Sequence, residues 1–373
     1  MKRHILVTGG AGFIGSHLVD KLVELGHNVR IFDNIEPQVH PNGKVPSYLN
    51  KKAEFIKGDV TNIDEFEAAI KDIDIIFHQA ALVGVGQSMY QIKRYMMANT
   101  IGTANLMELL ANKKHSVKKV IVASSMSTYG EGLYECEKCG KVNPDLRPEN
   151  QMKSQDWEMH CPNCNMQLRP LPTDESKKQE INSIYALTKK DQEDMVLNTG
   201  KTYGIPSVAL RYFNVYGPRQ SLSNPYTGVA AIFISRIKNN NSPTIYEDGL
   251  QSRDFVSVHD IVQANILAME KSSADYDVFN VGTGSKYTVK EIADILIKLL
   301  KKDLKPEIIG KFRKGDIRHC FADISKIKNK LGYNPKISFE QGMKELIEWA
   351  EKEQAKDLVN QATKELKDKG LVI

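Results

Sequence analysis

The chain predicts an α/β protein: a doubly wound parallel sheet, a smaller α/β unit after it, and a small cysteine-bound insert. Three observations carry that expectation. Short apolar runs alternate with helix-length amphipathic segments. A glycine-rich turn joins the first run to the first helix, and four of the five cysteines fall in two Cys-x-x-Cys pairs. With 373 residues, 41% apolar and 26% charged, there is material for two globular domains. The 51 basic and 46 acidic residues leave a net charge of +5 without a basic stripe. That balance does not mark a nucleic-acid protein and at most favours an anionic small ligand. No run of 18 apolar residues suggests a membrane span. Met1-Lys2-Arg3 and the apolar stretch after it are interrupted by glycine too soon for a leader, so a cytosolic protein is expected.

In chain order, His4-Ile5-Leu6-Val7 predicts the first strand, and Thr8-Gly9-Gly10-Ala11-Gly12-Phe13-Ile14-Gly15 the turn into a helix. Gly9 permits the tight turn, Gly12 lets the backbone approach a pyrophosphate, and Gly15 lets helix and strand pack closely. The N–H groups of the helix start then face phosphates. The second strand, Val29-Arg30-Ile31-Phe32, closes on Asp33, 18 residues after Gly15. A carboxylate there binds adenosine ribose hydroxyls and repels a 2′-phosphate, so a Rossmann-type fold holding NAD rather than NADP is expected. The plain alternative, a glycine turn in an unrelated α/β protein, does not account for the acid. Runs at 54–56, 73–77, 119–122 and 207–210 predict further strands, with helices near 63–70, 90–112 and 182–202.

Beyond Arg211 the loops lengthen and fill with Asn, Pro and Gly. The expected division is a cofactor domain over 1–213 with an insert at about 133–170, a second domain over 214–350, and a helical tail over 351–373. Segments near 256–285 are expected to pack back on the first domain. The stretch 338–367, dense in Lys and Glu, reads as a solvated surface helix.

Two motifs follow predicted strands, where open α/β sheets bind ligands. Ala123-Ser124-Ser125-Met126-Ser127 is the first, and Tyr185-Ala186-Leu187-Thr188-Lys189 the second. A spacing of four puts phenol and ammonium on one helix face. The cation favours the phenolate and draws its pKa from about 10 toward working pH. Tyr185 is then placed to take a proton from a substrate hydroxyl, with Ser125 hydrogen-bonding the same oxygen. Alone, such a pair is commonly an ordinary surface contact; behind a dinucleotide cradle it reads as catalytic.

With these motifs the chain resembles the extended short-chain dehydrogenase/reductase family, and within it the nucleotide-sugar epimerases and dehydratases. The resemblance implies that Asn34 and Asp59-Val60 meet the adenosine, and that Gln79-Ala80-Ala81 and Val83 flank the pyrophosphate and nicotinamide ribose. It also implies cofactor contacts from Ala123 and Tyr212, support from Asn99, and a grip on the nicotinamide ribose from Lys189. Arg211-Tyr212-Phe213-Asn214 and Tyr216-Gly217-Pro218-Arg219 resemble the segment that crosses from cofactor to sugar nucleotide. Arg253-Asp254, His259-Asp260 and Arg313-Lys314-Gly315-Asp316 resemble the elements that hold diphosphate and nucleoside. Ser125, Ser127, Asn214, Arg253, Arg313 and Asp316 are the substrate residues this implies.

Relatives that dehydrate or decarboxylate the sugar carry acids just after the catalytic Ser or Thr, whereas Met126 and Ser127 stand here. The resemblance therefore implies a 4-epimerase with tightly held NAD, and a homodimer; the stretch from Gly217 to Gly228, with the cysteine insert, most resembles the dTDP-L-rhamnose 4-epimerase branch. UDP-hexose or UDP-uronate epimerases, a one-way NAD(P)H-dependent sugar reductase, and a non-catalytic NAD-binding scaffold are the competing readings.

Cys136-Glu137-Lys138-Cys139 and Cys161-Pro162-Asn163-Cys164 stand 21 residues apart. Each pair chelates from a tight turn, and four thiolates suit a closed structural zinc site. Rubredoxin-like iron is the competing metal, and a reducing cytosol disfavours disulfides. The pairs lie between Ser125 and Tyr185, so a clamp near the sugar site is expected, as a pocket wall or a dimer contact.

Overall fold

The computed structural model describes residues 2–40 and 43–373. Seven strands form one sheet: β1 His4–Thr8, β2 Asn28–Asp33, β3 Glu54–Lys57, β4 Ile75–His78, β5 Lys119–Ser125, β6 Ser207–Tyr212 and β7 Asp277–Val281. Their order is β7-β6-β5-β4-β1-β2-β3, and every neighbouring pair is parallel. Every residue of β5 and of β6 is buried. That explains why these strands read as unbroken apolar runs and not as alternating ones. Ile5 and Val7 point to one buried layer with Ile31, Ile121 and Leu210. Leu6 points to the other, with Phe32, Val120 and Val122.

The expected strands are present, and β7 is an additional one. It comes from the second half of the sequence and completes the first sheet beside β6. The region near 90–112 is one helical path with a wide turn inside it, Met96–Ile101, leading into Gly102–Asn112. Such turns concentrate at functional sites. Helix α1, Phe13–Glu24, follows the glycine turn, and α2, Ile184–Tyr203, carries the Tyr-Lys pair.

The second unit packs Val229–Lys238, Val289–Leu299 and α3, Phe339–Lys352, around Phe233, Ile292, Leu296, Phe339, Met343 and Leu346. The solvated helix expected over 338–367 is therefore corrected. Two helices occupy that stretch, and α3 buries Phe339, Met343, Leu346, Ile347 and Ala350. After it comes α4, Val359–Asp368, which buries Ala362 and Leu366. In both, an apolar stripe at helical spacing lies among Lys and Glu, and the stripe decides the packing.

The cysteine segment folds as a separate antiparallel sheet. Leu133–Cys136 pairs with Gly140–Val142 on one side and Arg169–Leu171 on the other. Its core is Tyr134, Cys136, Val142, Met159, Cys161 and Leu168. Among the described residues, no helix is long and apolar enough to cross a membrane.

Candidate active site

A cavity of about 850 Å³ opens at the carboxyl ends of the strands, where strand order reverses between β1 and β4. Gly9, at φ +67°, makes the turn after β1, and a Cβ there would meet the backbone of Ala80 at 2.9 Å. A Cβ on Gly15 would sit 2.2 Å from the Gly9 carbonyl oxygen. The cap of α1 is Gly12, with no side chain to occupy the first N–H groups, so these are left for an anion. Asp33, at the end of β2, is buried. Its two oxygens accept from Ala11 N–H at 3.0 Å and Ile35 N–H at 2.8 Å, and burial raises its pKa. The donor groups, the glycine-lined gap and the carboxylate fit a dinucleotide such as NAD.

Gly9, Gly12, Phe13, Ile14, Gly15, Asp33, Asn34, Asp59, Val60, Gln79, Ala80, Ala81, Val83, Ala123, Ser125, Ser127, Tyr185, Lys189, Tyr212, Asn214, Arg253, Arg313 and Asp316 all line this one cavity. Asn34 donates to Asp59 at 2.9 Å, and the Tyr212 hydroxyl is tied to Gln79 and Asn265. Asn99 is the exception. It is fully buried behind the wall, where it brackets the backbone of Leu82 and donates to Thr188 on α2. It positions the loop after β4 against α2 and is not among the residues lining the cavity.

Ser125 ends β5, and its hydroxyl accepts from the Ser127 N–H at 3.1 Å and the Ser127 hydroxyl at 3.0 Å. The same hydroxyl hydrogen-bonds the Tyr185 phenol, which lowers the phenol's pKa, but burial outweighs it and pushes the phenol up to about 12. Lys189 donates to Ala123 O at 2.9 Å and Gln192 Oε1 at 2.8 Å, and burial draws its amine down to about 7. The expectation that the ammonium alone brings Tyr185 near working pH is thus corrected: desolvation dominates both groups.

Other motif matches prove structural. Arg211 pairs with Glu193 inside the protein and donates to the Tyr129 hydroxyl. Asp254 is fully buried and accepts from the backbone of Thr283 and Gly284. Arg219 turns away to Asp20 at 2.7 Å, while His259 pairs with Glu345 and Asp260 caps Lys336 and Ile337. Arg253 lines the cavity, yet its guanidinium already donates to the carbonyls of Ser252, Ile317 and Arg318.

Further residues line the wall, and of these Tyr246 and Gln251 carried no sequence signal. Tyr246 lies under the Arg313 guanidinium at 4.9 Å, and Gln220, Gln251 and Tyr226 also line the space. Asn214 Oδ1, Gln220 Oε1 and Gln251 Oε1 are buried without a hydrogen-bond partner among the described residues. The tail contributes Ala362, Thr363 and Leu366, and Glu365 accepts from Tyr90 at 3.0 Å and Tyr226 at 2.8 Å. Its end, 371–373, pairs with Phe312, Arg313 and Lys314.

In the insert, the sulfurs of Cys136, Cys139, Cys161 and Cys164 all lie within 4.8 Å of one another, Cys136 and Cys164 at 3.4 Å. A tetrahedral Zn–S length of about 2.3 Å needs sulfurs about 3.8 Å apart. Cys320 stands apart, buried, with its thiol pushed up to about 12.

A doubly wound sheet with a dinucleotide cradle, and Ser, Tyr and Lys converging beside it, defines an NAD-dependent enzyme. The sequence matches the NAD dependent epimerase/dehydratase family over residues 5–150 and GDP-mannose 4,6 dehydratase over 167–346. It is 33% identical to a dTDP-L-rhamnose 4-epimerase of Burkholderia thailandensis, across 94% of this chain and 96% of that protein. A solved UDP-glucose 4-epimerase of Thermotoga maritima with UDP-glucose superposes with a TM-score of 0.76 at 34% identity, covering 94% of this chain and 99% of the other. The Thermus thermophilus UDP-glucose 4-epimerase with NAD gives 0.75 at 28% identity, covering 94% and 100%. The chain belongs to the NAD-dependent epimerase/dehydratase family, and within it to the epimerases.

Proposed function

We propose that the protein is a nucleotide-sugar 4-epimerase working on a dTDP-linked 6-deoxyhexose such as dTDP-L-rhamnose, with UDP-hexoses and UDP-uronates as the second reading. One observation carries the reaction type. The carboxylates on the cavity wall are Asp33, Glu36 and Asp59 on the adenosine side and Glu247 and Asp316 among the second unit's loops; among the described residues none stands beside Ser125 and Tyr185. Removing a C5 proton or expelling water needs a further acid or base there, whereas oxidation and return at C4′ needs only the phenol. Bound NAD supplies a hydride acceptor at C4′ and a positive ring. Tyr185 as phenolate takes the C4′ hydroxyl proton and later returns it, while Ser125 holds the same oxygen. Lys189 would hold the nicotinamide ribose, and the Ser125 hydrogen bond works against the burial that keeps the phenol protonated. Tyr185 would give the proton back to the same oxygen once hydride returns to the opposite face of C4′, with Ser125 keeping that oxygen in place.

Asn214, Ser127, Arg253, Arg313 and Asp316 are proposed to hold sugar and diphosphate, Arg313 by forking onto phosphate oxygens. The division at 213/214, with the tail from 351, remains the proposed domain plan. The four cysteines are proposed to hold a structural zinc, as reduced thiolates in the cytosol. Exposed Ile92, Ile101 and Leu187 on the helices before β5 and on α2 support a homodimer through that face. Incubating the protein with dTDP-L-rhamnose and following C4 epimers by proton NMR tests the reading. Two epimers without net NADH are expected; one-way reduction with NAD(P)H consumed would replace epimerase by reductase.

A further inference from the structure

A second group of charges lies behind the cavity wall, between the cysteine insert and the second unit, and shares Glu247 with that wall. The insert's long connection, between Val142 and Met159, leaves its own small sheet and crosses to the other unit. Arg147 is buried there and grips both oxygens of Glu247, at 2.8 and 2.9 Å, together with Trp157 O at 2.9 Å and Asp316 O at 3.3 Å. Glu158 accepts from Arg318 at 2.5 and 3.1 Å. Arg318, wholly buried, also holds Glu247 at 3.0 Å and Asp248 at 2.7 and 2.9 Å. Trp157 meets Phe312 edge-on at 6.3 Å beside Met152 and Ile373, and Glu149 reaches Lys314 at 3.3 Å.

Two stretches of the second unit are therefore held by the insert: 246–248 and 312–318. Between them they place Tyr246 and Arg313 on the cavity wall, ring under guanidinium, with Arg313 bonded to Asp316 at 2.7 Å. No residue from 131 to 181 lines the cavity itself. The insert acts on the wall from behind and forms no part of its surface. Its own core is six side chains, two of them cysteines, too few to hold the crossing loop without a metal cross-link.

We propose that the metal-bound insert is a positioning element for the nucleotide end of the substrate. The metal fixes the sheet, the sheet fixes Arg147, Trp157 and Glu158, and these fix Tyr246 and Arg313 for a nucleoside diphosphate. The inference rests on the zinc and nucleotide-sugar reading above. It separates the two ends of the cavity: metal governs nucleotide binding and leaves NAD and the Ser125–Tyr185 chemistry alone.

The test measures binding of dTDP and UDP by calorimetry to the NAD-loaded protein, with zinc and NAD content determined alongside. Arg147→Met is expected to keep zinc and NAD at wild-type stoichiometry while weakening the diphosphate about tenfold or more. KM for the nucleotide sugar should rise in step and kcat stay within about threefold, a split that general destabilisation would not give. If that variant does not fold, wild-type protein stripped of zinc by a chelator should show the same weakening, reversed by adding zinc back. Diphosphate affinity unchanged in both preparations overturns the inference, as does loss of NAD in parallel with the diphosphate. A wild type that binds neither dTDP nor UDP overturns the nucleotide-sugar reading, and this inference with it.

Discussion

The cofactor end of the cavity is made mostly of backbone, and the substrate end of side chains borrowed from distant stretches. Around Gly9, Gly12 and Gly15 the wall is a continuous turn whose shape depends on missing Cβ atoms. Around Arg313 it needs Tyr246 from one loop, 371–373 from the tail, and Arg147 and Glu158 from the insert behind. The difference teaches that the two ends should fail separately. Changes in the insert or tail alter what the enzyme binds, changes in the cradle alter which dinucleotide it holds, and only the groups between them alter the chemistry.

The largest effect is expected at that boundary. Tyr185→Phe removes the proton acceptor and keeps the ring, so kcat should fall on the order of 10²–10⁴ with NAD still bound. A loss of tenfold or less, measured by epimer interconversion, would take Tyr185 out of its role.

Removing residues 354–373 breaks the substrate end, and with it the Glu365 contacts to Tyr90 and Tyr226. The tail's backbone pairing with Phe312, Arg313 and Lys314 goes, together with the apolar wall of Ala362 and Leu366. KM for the nucleotide sugar should rise roughly tenfold or more, the scale of a few lost contacts. NAD content should be unchanged, and a truncated protein with wild-type KM would show that the tail is only a cover.

At the other end, Asp33→Ala should weaken NAD about tenfold, the scale of a charge-assisted hydrogen bond, and admit NADP. Dinucleotide extracted from the purified variant and wild type reads this directly. NADP already present in the wild type would contradict the assignment.

The smallest effect is a pH dependence in the insert. The Glu158 carboxyl is held down at about 2, first by its hydrogen bond to His319 and then by Arg318, against the cost of burial. A depressed carboxyl stabilises the fold above its usual value of 4.5 and loses that contribution as pH falls through about 2. Glu158→Gln should melt a few degrees below wild type near neutral pH, with the gap closing toward pH 2. A gap that stays constant with pH would mean the carboxylate charge is not what matters there.

What was legible in the sequence divides along the same line. The cradle lies within 33 residues, the Tyr-Lys pair within five and each cysteine pair within four, so spacing alone encodes their geometry. Tyr246 reaches the cavity only through the fold, and nothing next to it in sequence marks it. Arg211 and Asp254 show the converse. Their types and order match a binding segment, yet both are buried and spent on Glu193 and on backbone N–H groups. Helix spacing likewise puts Lys189 beside Tyr185 but says nothing of the burial that raises the phenol. In the tail an i, i+3, i+7 stripe of Val359, Ala362 and Leu366 was present, hidden among lysines and glutamates.

The central claim is that the site oxidises and re-reduces C4′ without other chemistry. The direct measurement is proton NMR of dTDP-L-rhamnose incubated with the NAD-loaded enzyme in D2O. A mixture of two C4 epimers, with no water lost, no deuterium at C5 and no NADH released, is the predicted result. Deuterium at C5, or a dehydrated or accumulating 4-keto product, would contradict it.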